Sequence, residues 1–425
     1  MGIGFSLHTR CRDIASFQKT LDRLAAARGY QTSHDENSST VSLCRLGNIY
    51  FDFTKEEKLA QQKCFQVHAE CQTNLLGAGF HKAAIEFIDE LRPATGRDIE
   101  VEDETGYYTG RDFEAMRTEH FYNWLHRVLE ISLEQHRKGS RISYICWAID
   151  DYMPEEVEGT VVTPFGRIRP AEVLARIGRE GIEPFAREFF IWNEPEQDAR
   201  FHRNLALNLL WEECFFMPSE RSETDAYFNG TIILELEEAA RLDPTLSFPK
   251  DLYRKVCMLH GSDPLALDTL PDYTCEFPVG YRRGWVGRKV GNLTYHMPGN
   301  HLVDNDEGTN VFYDDDGENW HLLRCTAYNT GDDDPHYIEL DKAVLIEKRA
   351  FDFGTCRFYD LGEQAPDEDG EEPYYCCACH VLTHHQYTLL TLCARDREST
   401  LAYGREILSR LSSEKPDKNS SNLPS

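Results

Sequence analysis

The stretch Tyr374–Arg395, YYCCACHVLTHHQYTLLTLCAR, decides which fold is expected for the last third of the chain. Two runs of small and apolar residues flank a short polar segment, His384-His385-Gln386, that has the composition of a turn. We therefore predict that Cys376–Thr383 is one strand of a C-terminal antiparallel sheet, paired with residues 387–394. Because side chains alternate along a strand, residues 376, 378 and 380 should face one side of the sheet and residues 377, 379 and 381 the other.

The same stretch is rich in cysteine and histidine, which raises the alternative of a metal site with Cys376, His380 and His384 as ligands. A structural zinc ion needs a tetrahedron of ligands, usually supplied by cysteines or histidines in closely spaced pairs. Here Cys377 and Cys379 are one residue apart, and the chain has no second C-x-x-C pair. A buried strand with small, polarizable side chains explains the pattern better, so we expect no metal and no other cofactor. A redox-sensitive thiol pair is the remaining alternative.

The charge of the chain favours some partners over others. Of 425 residues, 73 are acidic and 45 are basic, which gives a formal net charge of −28. Such a chain repels phosphate backbones and anionic lipid surfaces, so we expect neither nucleic acid nor membrane as a partner. A protein partner, basic on its contacting surface, is compatible with this charge. The oligomeric state is left open by the sequence.

The cysteines indicate a compartment. All 14 are scattered along the chain, and most lie within apolar runs, where cysteine behaves as a small hydrophobe. The N-terminus, MGIGFSLHTRC, lacks the basic and apolar segments of a secretory signal. We therefore expect free thiols, no disulfides and a cytoplasmic location.

Hydrophobic periodicity predicts an α+β, multi-domain fold, with antiparallel sheets and packed helices at both ends and a mainly helical middle region. Residues 1–140 are predicted to form an α+β domain, with one helix that Pro93 ends and a long helix over about 111–137. Residues 141–272 are predicted to open with a strand and a hairpin and then to be mainly helical. Residues 273–412 are strand-rich with a closing helix, and residues 413–425 have the composition of a disordered tail.

The C-terminal third resembles a known superfamily in its pattern of elements. A polar hairpin near LTYHMPGN (293–300) is followed by a series of antiparallel strands, and HQYTLLTLCARDRESTLAYGREILSRL (385–411) predicts a last strand that leads into an amphipathic helix. This order resembles the PsbP-like α/β/α sandwich, whose members are mostly binding modules. The whole chain is also similar in character to bacterial immunity and accessory proteins of toxin systems. These resemblances imply a binding function and transfer no functional residue.

Catalytic candidates are few. Asp150 and Asp151 follow the apolar run ISYICWAI, and carboxylates at the end of a strand can hold a divalent metal or act as acid and base. A solvated loop is the competing interpretation. Gly77 and Gly79 precede a helix, but Lys82 stands where the dinucleotide-binding motif requires a third small residue, which favours a tight turn.

The leading hypothesis is a non-enzymatic acidic protein that binds another protein, as an immunity or accessory protein of a bacterial toxin or defence system does. Clusters of aspartate between the C-terminal strands are the predicted binding residues, and we expect them to be exposed. The alternative is a metal-dependent hydrolase or transferase that uses the carboxylates near Asp150 or the Cys/His strand at 376–385. The predicted binding residues are Asp314, Asp315, Asp316, Asp332, Asp333 and Asp334.

Overall fold

The computed structural model of the chain describes residues 2–55, 64–138, 144–147, 153–154, 157–306, 309–315, 320–330, 336–338, 340, 342–365 and 373–413. Side chains are described at these positions except at 305, 306, 315 and 413.

The first region contains a six-stranded antiparallel sheet in the order β2-β3-β4-β5-β1-β6. Apolar side chains alternate along β1, and those of Phe5 and Leu7 are buried, which is the pattern of a sheet covered on one face. Helix α1 begins at Ile14, where the Asp13 carboxylate accepts a hydrogen bond from the Ser16 N–H at 3.1 Å. The elements are β1 (Gly4–Cys11), α1 (Ile14–Ala27), β2 (Gln31–His34), β3 (Ser38–Cys44), β4 (Gly47–Lys55), β5 (Phe65–Gln72), α2 (Ala78–Thr95) and β6 (Glu100–Asp103).

Helix α2 differs from its predicted extent. It continues through Pro93 to Thr95 and ends at Gly96, which has a φ of +59°. The prediction that Pro93 stops the helix is therefore wrong at this end. The tight turn predicted before α2 is confirmed, since Gly77 has a φ of +101° and the Gly79 N–H donates to the Trp192 carbonyl at 2.9 Å.

The long helix predicted over about 111–137 is interrupted. The Asp112 carboxylate caps a short helix by accepting from the Ala115 N–H at 3.0 Å, and Met116–Tyr122 then form a π-helical segment. This segment places Phe121 and Tyr122 among the buried aromatic side chains next to Phe190. The elements are α3 (Tyr107–Gly110), α4 (Phe113–Ala115) and α5 (Asn123–Arg137).

The middle region is mainly helical, as predicted, and its hairpin is present. Helix α8 is buried on most sides, and α9 packs along it. The elements are β7 (Met153–Pro154), β8 (Val161–Thr163), β9 (Gly166–Ile168), α6 (Pro170–Glu180), α7 (Glu183–Phe189), α8 (Ala199–Glu212), α9 (Glu223–Leu242) and α10 (Lys250–His260).

The third region contains a four-stranded sheet, β19-β11-β10-β7, and a seven-stranded sheet, β12-β13-β14-β18-β17-β16-β15. The predicted hairpin is confirmed, because β17 pairs antiparallel with β18 from Tyr375↔Ala394 to Thr383↔Gln386. The elements are β10 (Trp285–Val290), β11 (Leu293–Pro298), β12 (Leu302–Asp306), β13 (Thr309–Asp315), β14 (Trp320–Asn329), β15 (Val344–Phe351), β16 (Gly354–Gln364), β17 (Tyr374–Thr383), β18 (Gln386–Ala394), α11 (Arg397–Ser409) and β19 (Ser412–Ser413).

Backbone contacts connect the three regions. The Trp192 N–H donates to the Leu76 carbonyl at 2.6 Å, and β7 pairs with β10 through Met153↔Gly287. The α+β class with several antiparallel sheets is confirmed, while the domain boundaries stay predictions. Ser413 belongs to β19, and the rest of the predicted tail lies outside the described residues. Within the described residues, no helix is long and apolar enough to cross a bilayer.

Candidate functional site on the C-terminal sheet

The two faces of the seven-stranded sheet have different environments. Helix α11 contacts one face at β16, β17 and β18. There the Cys377 and Cys379 thiols lie 3.4 Å and 4.0 Å from the carbonyl oxygens of Thr400 and Gly404. A Cβ added at Gly404 would lie 2.7 Å from the Cys377 sulfur, so glycine and cysteine together allow the helix to approach the strand closely.

The strand register defines the residues on the opposite face, because directly paired residues of antiparallel strands point to the same side. Three rows cross β14, β18, β17, β16 and β15 on this face, which we call the basic–aromatic face. The rows are Tyr328, Tyr387, Leu382, Thr355 and Ala350; Thr326, Leu389, His380, Arg357 and Lys348; and Arg324, Thr391, Ala378, Tyr359 and Leu345.

Aromatic rings form a continuous series near the centre of this face. The rings of Tyr328 and Tyr387 are 5.9 Å apart, and the Tyr387 hydroxyl lies 3.0 Å from His380 Nδ1. The His380 ring is 5.1 Å from that of Tyr359. The guanidinium of Arg357 stacks on Tyr337 at 3.9 Å from the ring centroid. The series therefore spans four adjacent strands.

His380 is fully buried within this series, and its Nε2 has no hydrogen-bond partner among the described residues. Burial lowers the pKa of His380 to about 4, and the positive charge of Arg357 acts in the same direction. His380 is therefore a neutral imidazole at neutral pH, and it fills the space between two tyrosines.

The charged residues of the three rows are Arg324, Arg357 and Lys348, so these five strands contribute three positive charges on a chain whose net charge is −28. The same register places Asp304 of β12 on this face as well, in the row of Val311 and Arg324. Arg324 and Lys348 are exposed, and neither forms an ion pair within the described part of the chain. The Tyr328 side chain is 52% exposed and that of Leu345 is 41% exposed. Exposed tyrosine and arginine of this kind are enriched where proteins bind one another.

The candidate metal ligands are not brought together. Cys376 and His380 are four residues apart on one strand, which separates them by about 13 Å. His384 lies in the exposed turn that follows. No group of three or more His, Cys, Asp or Glu side chains among the described residues is arranged to hold an ion. This strand therefore does not form the proposed site from Cys376, His380 and a turn histidine.

The thiols of this region are buried rather than activated. Cys376 faces Cys393 across the strand pair, and contact with Cys376 together with burial raises the pKa of Cys393. A raised pKa suppresses the thiolate, which is the reactive form of cysteine. All 14 cysteines are free, as predicted.

Asp314 is not the exposed binding residue that the sequence predicts. Its carboxylate is 2.9 Å from Nη1 of Arg221, and it accepts a hydrogen bond from the Asn300 amide at 2.6 Å. The same guanidinium binds the Asp225 carboxylate at 2.8 Å, and all three charged side chains are buried. Asp314 therefore joins β13 to helix α9. No local sequence pattern indicates that Arg221 pairs with Asp314 or that α9 packs on this sheet. The cluster of aspartates was therefore interpreted as a solvated loop.

The remaining predicted binding and catalytic residues lie, wholly or in their side chains, outside the described structure. Asp315 ends β13, and its side chain is outside the described part of the structure. The other residues also lie outside the described residues: Asp150, Asp151, Asp316, Asp332, Asp333 and Asp334.

A buried Thr–His–Asp group in the first region was missed by sequence reasoning. His81 Nδ1 lies 3.1 Å from the Thr73 hydroxyl, and His81 Nε2 lies 3.1 Å from the Asp103 carboxylate. Burial opposes ionisation of Asp103, but hydrogen bonds and the charge of His81 more than offset it and lower the pKa of Asp103. The Thr73 hydroxyl donates to the Ile3 carbonyl at 3.0 Å, so its proton points away from the imidazole. The group stabilises the fold and is not arranged for nucleophilic attack.

Comparison with known proteins adds little to this geometry. No known family profile and no curated protein sequence matches the chain. A crystal structure from Bacteroides thetaiotaomicron VPI-5482 is similar over part of the chain, at 18% sequence identity and a TM-score of 0.23. The similarity covers 29% of this chain and 46% of that chain, so the chain spans less than half the length of the protein it matches. A likeness this low carries no argument about fold or function.

Proposed function

We propose that this protein acts by binding another protein, and that the basic–aromatic face of the C-terminal sheet makes the contact. The observation that carries this proposal is the set of Arg324, Lys348 and Tyr328 side chains, which are exposed on one face of a sheet. Arginine and tyrosine contribute large contact areas and charge-assisted hydrogen bonds, and they are frequent among the residues that dominate binding energies.

The charge of the face indicates which partner it fits. A positive surface associates fastest with a negative one, so the contacting segment of the partner carries Asp or Glu beside an apolar or aromatic residue. This partner differs from the one predicted from the sequence, which is basic and would instead contact the acidic residues Asp332, Asp333 and Asp334. A nucleic acid could also bind basic side chains and aromatic rings, but the net charge of −28 opposes the approach of a long polyanion.

The resemblance to the PsbP-like sandwich, whose members are mostly binding modules, fits a binding function. An immunity or accessory role in a toxin or defence system is one setting in which an acidic protein binds a partner, and it remains part of the proposal. A cytoplasmic location likewise remains part of the proposal, and it is consistent with 14 free thiols.

Affinity capture with matched variants tests the proposal. The double variant Arg324→Gln/Lys348→Gln removes the two exposed charges of the face. Lys19→Gln/Arg23→Gln removes two exposed charges from helix α1 and serves as the control. We expect the wild type and the control to retain a protein whose retained amount falls at least about tenfold with the face variant. Each charged contact is worth on the order of 1 kcal/mol.

Three outcomes contradict the proposal. If every retained protein binds the face variant as well as it binds the wild type, the contact lies elsewhere. If nuclease treatment releases the retained material, the partner is a nucleic acid. Loss of binding with Asp332→Asn/Asp333→Asn/Asp334→Asn and not with the face variant would place the contact on this acidic stretch.

A further inference from the structure

A polar cleft in the middle region contains two arginines, Arg200 and Arg203, that form no ion pair with the described residues of the chain. The cleft lies between α7, the beginning of α8 and the segment 243–247, and it encloses about 460 Å³. This volume is in the range of small-molecule sites. Its lining residues are Glu183, Pro184, Arg187, Glu188, Arg200, Arg203, Asp243, Thr245, Leu246 and Ser247.

Arg203 lies at the bottom of this cleft and is only 4% exposed. Its Nε and Nη2 donate to the Asn204 side-chain oxygen at 3.3 Å and 3.0 Å, and its Nη1 donates to the Ser247 hydroxyl at 2.9 Å. Its guanidinium carbon is 5.7 Å from the centroid of the Tyr273 ring. All these partners are neutral, and they use three of the five N–H groups that a guanidinium carries.

The neighbours of Arg203 hold it in this orientation. The Asn204 amide nitrogen donates to the carbonyls of Arg187 and Phe190, each at 2.9 Å, which fixes the Asn204 oxygen toward Arg203. Desolvation lowers the pKa of Arg203, but a guanidinium stays protonated in proteins. The cleft therefore contains a buried positive charge that no carboxylate among the described residues contacts directly, while Glu188 and Asp198 act on it from a distance.

The acidic residues at the rim are already engaged. Arg187 pairs with Glu183 at 2.8 Å and with Glu194 at 3.1 Å, while Glu188 pairs with Arg176 at 3.1 Å. Glu183 and Glu188 therefore pair directly with arginines other than Arg203, and Glu188 acts on Arg203 only from a distance.

Asp243, the third rim carboxylate, accepts hydrogen bonds from the N–H and the hydroxyl of Thr245, at 2.9 Å and 2.6 Å. Arg200 is partly exposed, one turn before Arg203 on α8, and it forms no ion pair in the part of the chain that is described. Both arginines lie near the positive end of the α8 dipole, which adds to the field for a negative ligand.

We propose that this cleft binds a small molecule through one oxyanion group, a carboxylate or a single phosphate, held by Arg203 and Arg200. The guanidinium fork of Arg203 has N–H groups left to bind an oxyanion, and the ligand would neutralise the buried charge. The three rim carboxylates repel polyanions, so the ligand carries one negative group rather than several. This site is independent of the basic–aromatic face.

Thermal unfolding of the full chain with defined probes tests the site. The probes are sodium acetate, glycylglycine, sodium phosphate and sodium pyrophosphate, each compared with sodium chloride at equal ionic strength. If the natural ligand binds through a carboxylate, we expect acetate and glycylglycine to raise the Tm of the wild type by about 3 °C near saturation. If it binds through a phosphate group, we expect inorganic phosphate to give this shift. The larger of the two shifts identifies the group.

Variants separate binding from the general stabilising effect that phosphate has on proteins. Arg200→Gln, which alters a partly exposed side chain, and Arg203→Met should both lose the probe-dependent shift. Arg254→Gln on α10, outside the cleft, should keep it. In chloride, Arg203→Met loses its hydrogen bonds to Asn204 and Ser247 as well as the buried charge, so each variant's probe shift is measured from its own Tm in chloride.

The proposal is overturned if no probe raises the wild-type Tm above chloride, or if Arg200→Gln shows the same shift as the wild type. A larger shift with pyrophosphate than with phosphate would overturn the single-oxyanion assignment. If Arg203→Met does not fold, Arg200→Gln alone decides between these outcomes.

Discussion

Asp314 is the residue at which a surface interpretation and the packed structure differ most. Its carboxylate neutralises Arg221 together with Asp225, and all three side chains are buried. Asp314→Asn removes one charge from this group while keeping the shape, so we expect the free energy of unfolding to fall by about 2 kcal/mol. Urea unfolding measures it, with Asp263→Asn, an exposed residue in a loop, as the control. An unchanged midpoint for Asp314→Asn would show that the ion group does not stabilise the fold.

His380 should make the protein sensitive to acid. Its folded pKa of about 4 lies below the ordinary value of 6.5, so the unfolded chain binds the proton more readily. The stability from the neutral form is complete above about pH 6.5 and is lost as the pH falls toward 4, by up to roughly 3 kcal/mol. His380→Gln should reduce this loss, as measured by urea unfolding at several pH values. An identical pH profile for His380→Gln and the wild type would contradict the assignment.

Glu212 should have the opposite effect at higher pH. Burial raises its pKa to about 7 from an ordinary value of 4.5, against a hydrogen bond from Asn208 that lowers it. The folded state binds the proton more readily, so stability is highest below about pH 4.5 and falls as the pH rises through 7, by up to roughly 3 kcal/mol. Glu212→Gln should remove this loss and stabilise the protein at pH 8. Equal stability of Glu212→Gln and the wild type at pH 8 would show that the carboxyl is not desolvated.

At the scale of elements, the contact between α11 and β17 depends on small residues. A Cβ at Gly404 would lie 2.7 Å from the Cys377 sulfur and 2.8 Å from the Phe358 ring, so Gly404→Ala forces the helix away from the sheet. We expect a loss of about 1–3 kcal/mol in spite of the higher helix propensity of alanine.

Gly178 in α6 provides the matched control for Gly404. No atom lies within 4 Å of a Cβ added there, so Gly178→Ala should stabilise the protein by up to about 1 kcal/mol. Chemical denaturation of both variants measures the difference. If Gly404→Ala were as stable as Gly178→Ala, the close approach of α11 would not be a constraint.

The elements also show what the sequence could predict. The β17–β18 hairpin was predictable because alternation and a polar turn are local signals that agree with each other. The π-helical segment Met116–Tyr122 was not predictable, since its aromatic side chains pack against residues such as Phe190 that are distant in the sequence. The end of α2 was also predicted too early. The helix continues past Pro93 for less than one further turn, to Thr95.

The candidate sites were less predictable than the fold. The sequence drew attention to His380 through its neighbours, but only the strand register places it between Tyr359 and Tyr387. Arg324 and Lys348 are 24 residues apart and come from different strands, so no local pattern joins them. Sites assembled across strands in this way require the tertiary structure.

In the molecule as a whole, a chain with a net charge of −28 presents the exposed cations Arg324 and Lys348 beside aromatic rings on one face of its C-terminal sheet. Exposed cations beside aromatic rings favour one orientation for a partner whose contacting segment is acidic. We therefore expect contacts with a partner protein to concentrate on this face rather than being spread over the surface.

Site-specific photo-crosslinking measures where a partner contacts the protein. A benzoylphenylalanine residue would replace Tyr328, which is 52% exposed on the basic–aromatic face, or Tyr50, which is 54% exposed on the first sheet. The two positions match in residue type and exposure, so they differ only in location. We predict a discrete crosslinked protein in the source cells at position 328, absent at position 50 and lost in the Arg324→Gln/Lys348→Gln background. Crosslinking that is equal at both positions, or absent at position 328, would show that the basic–aromatic face is not the contact surface.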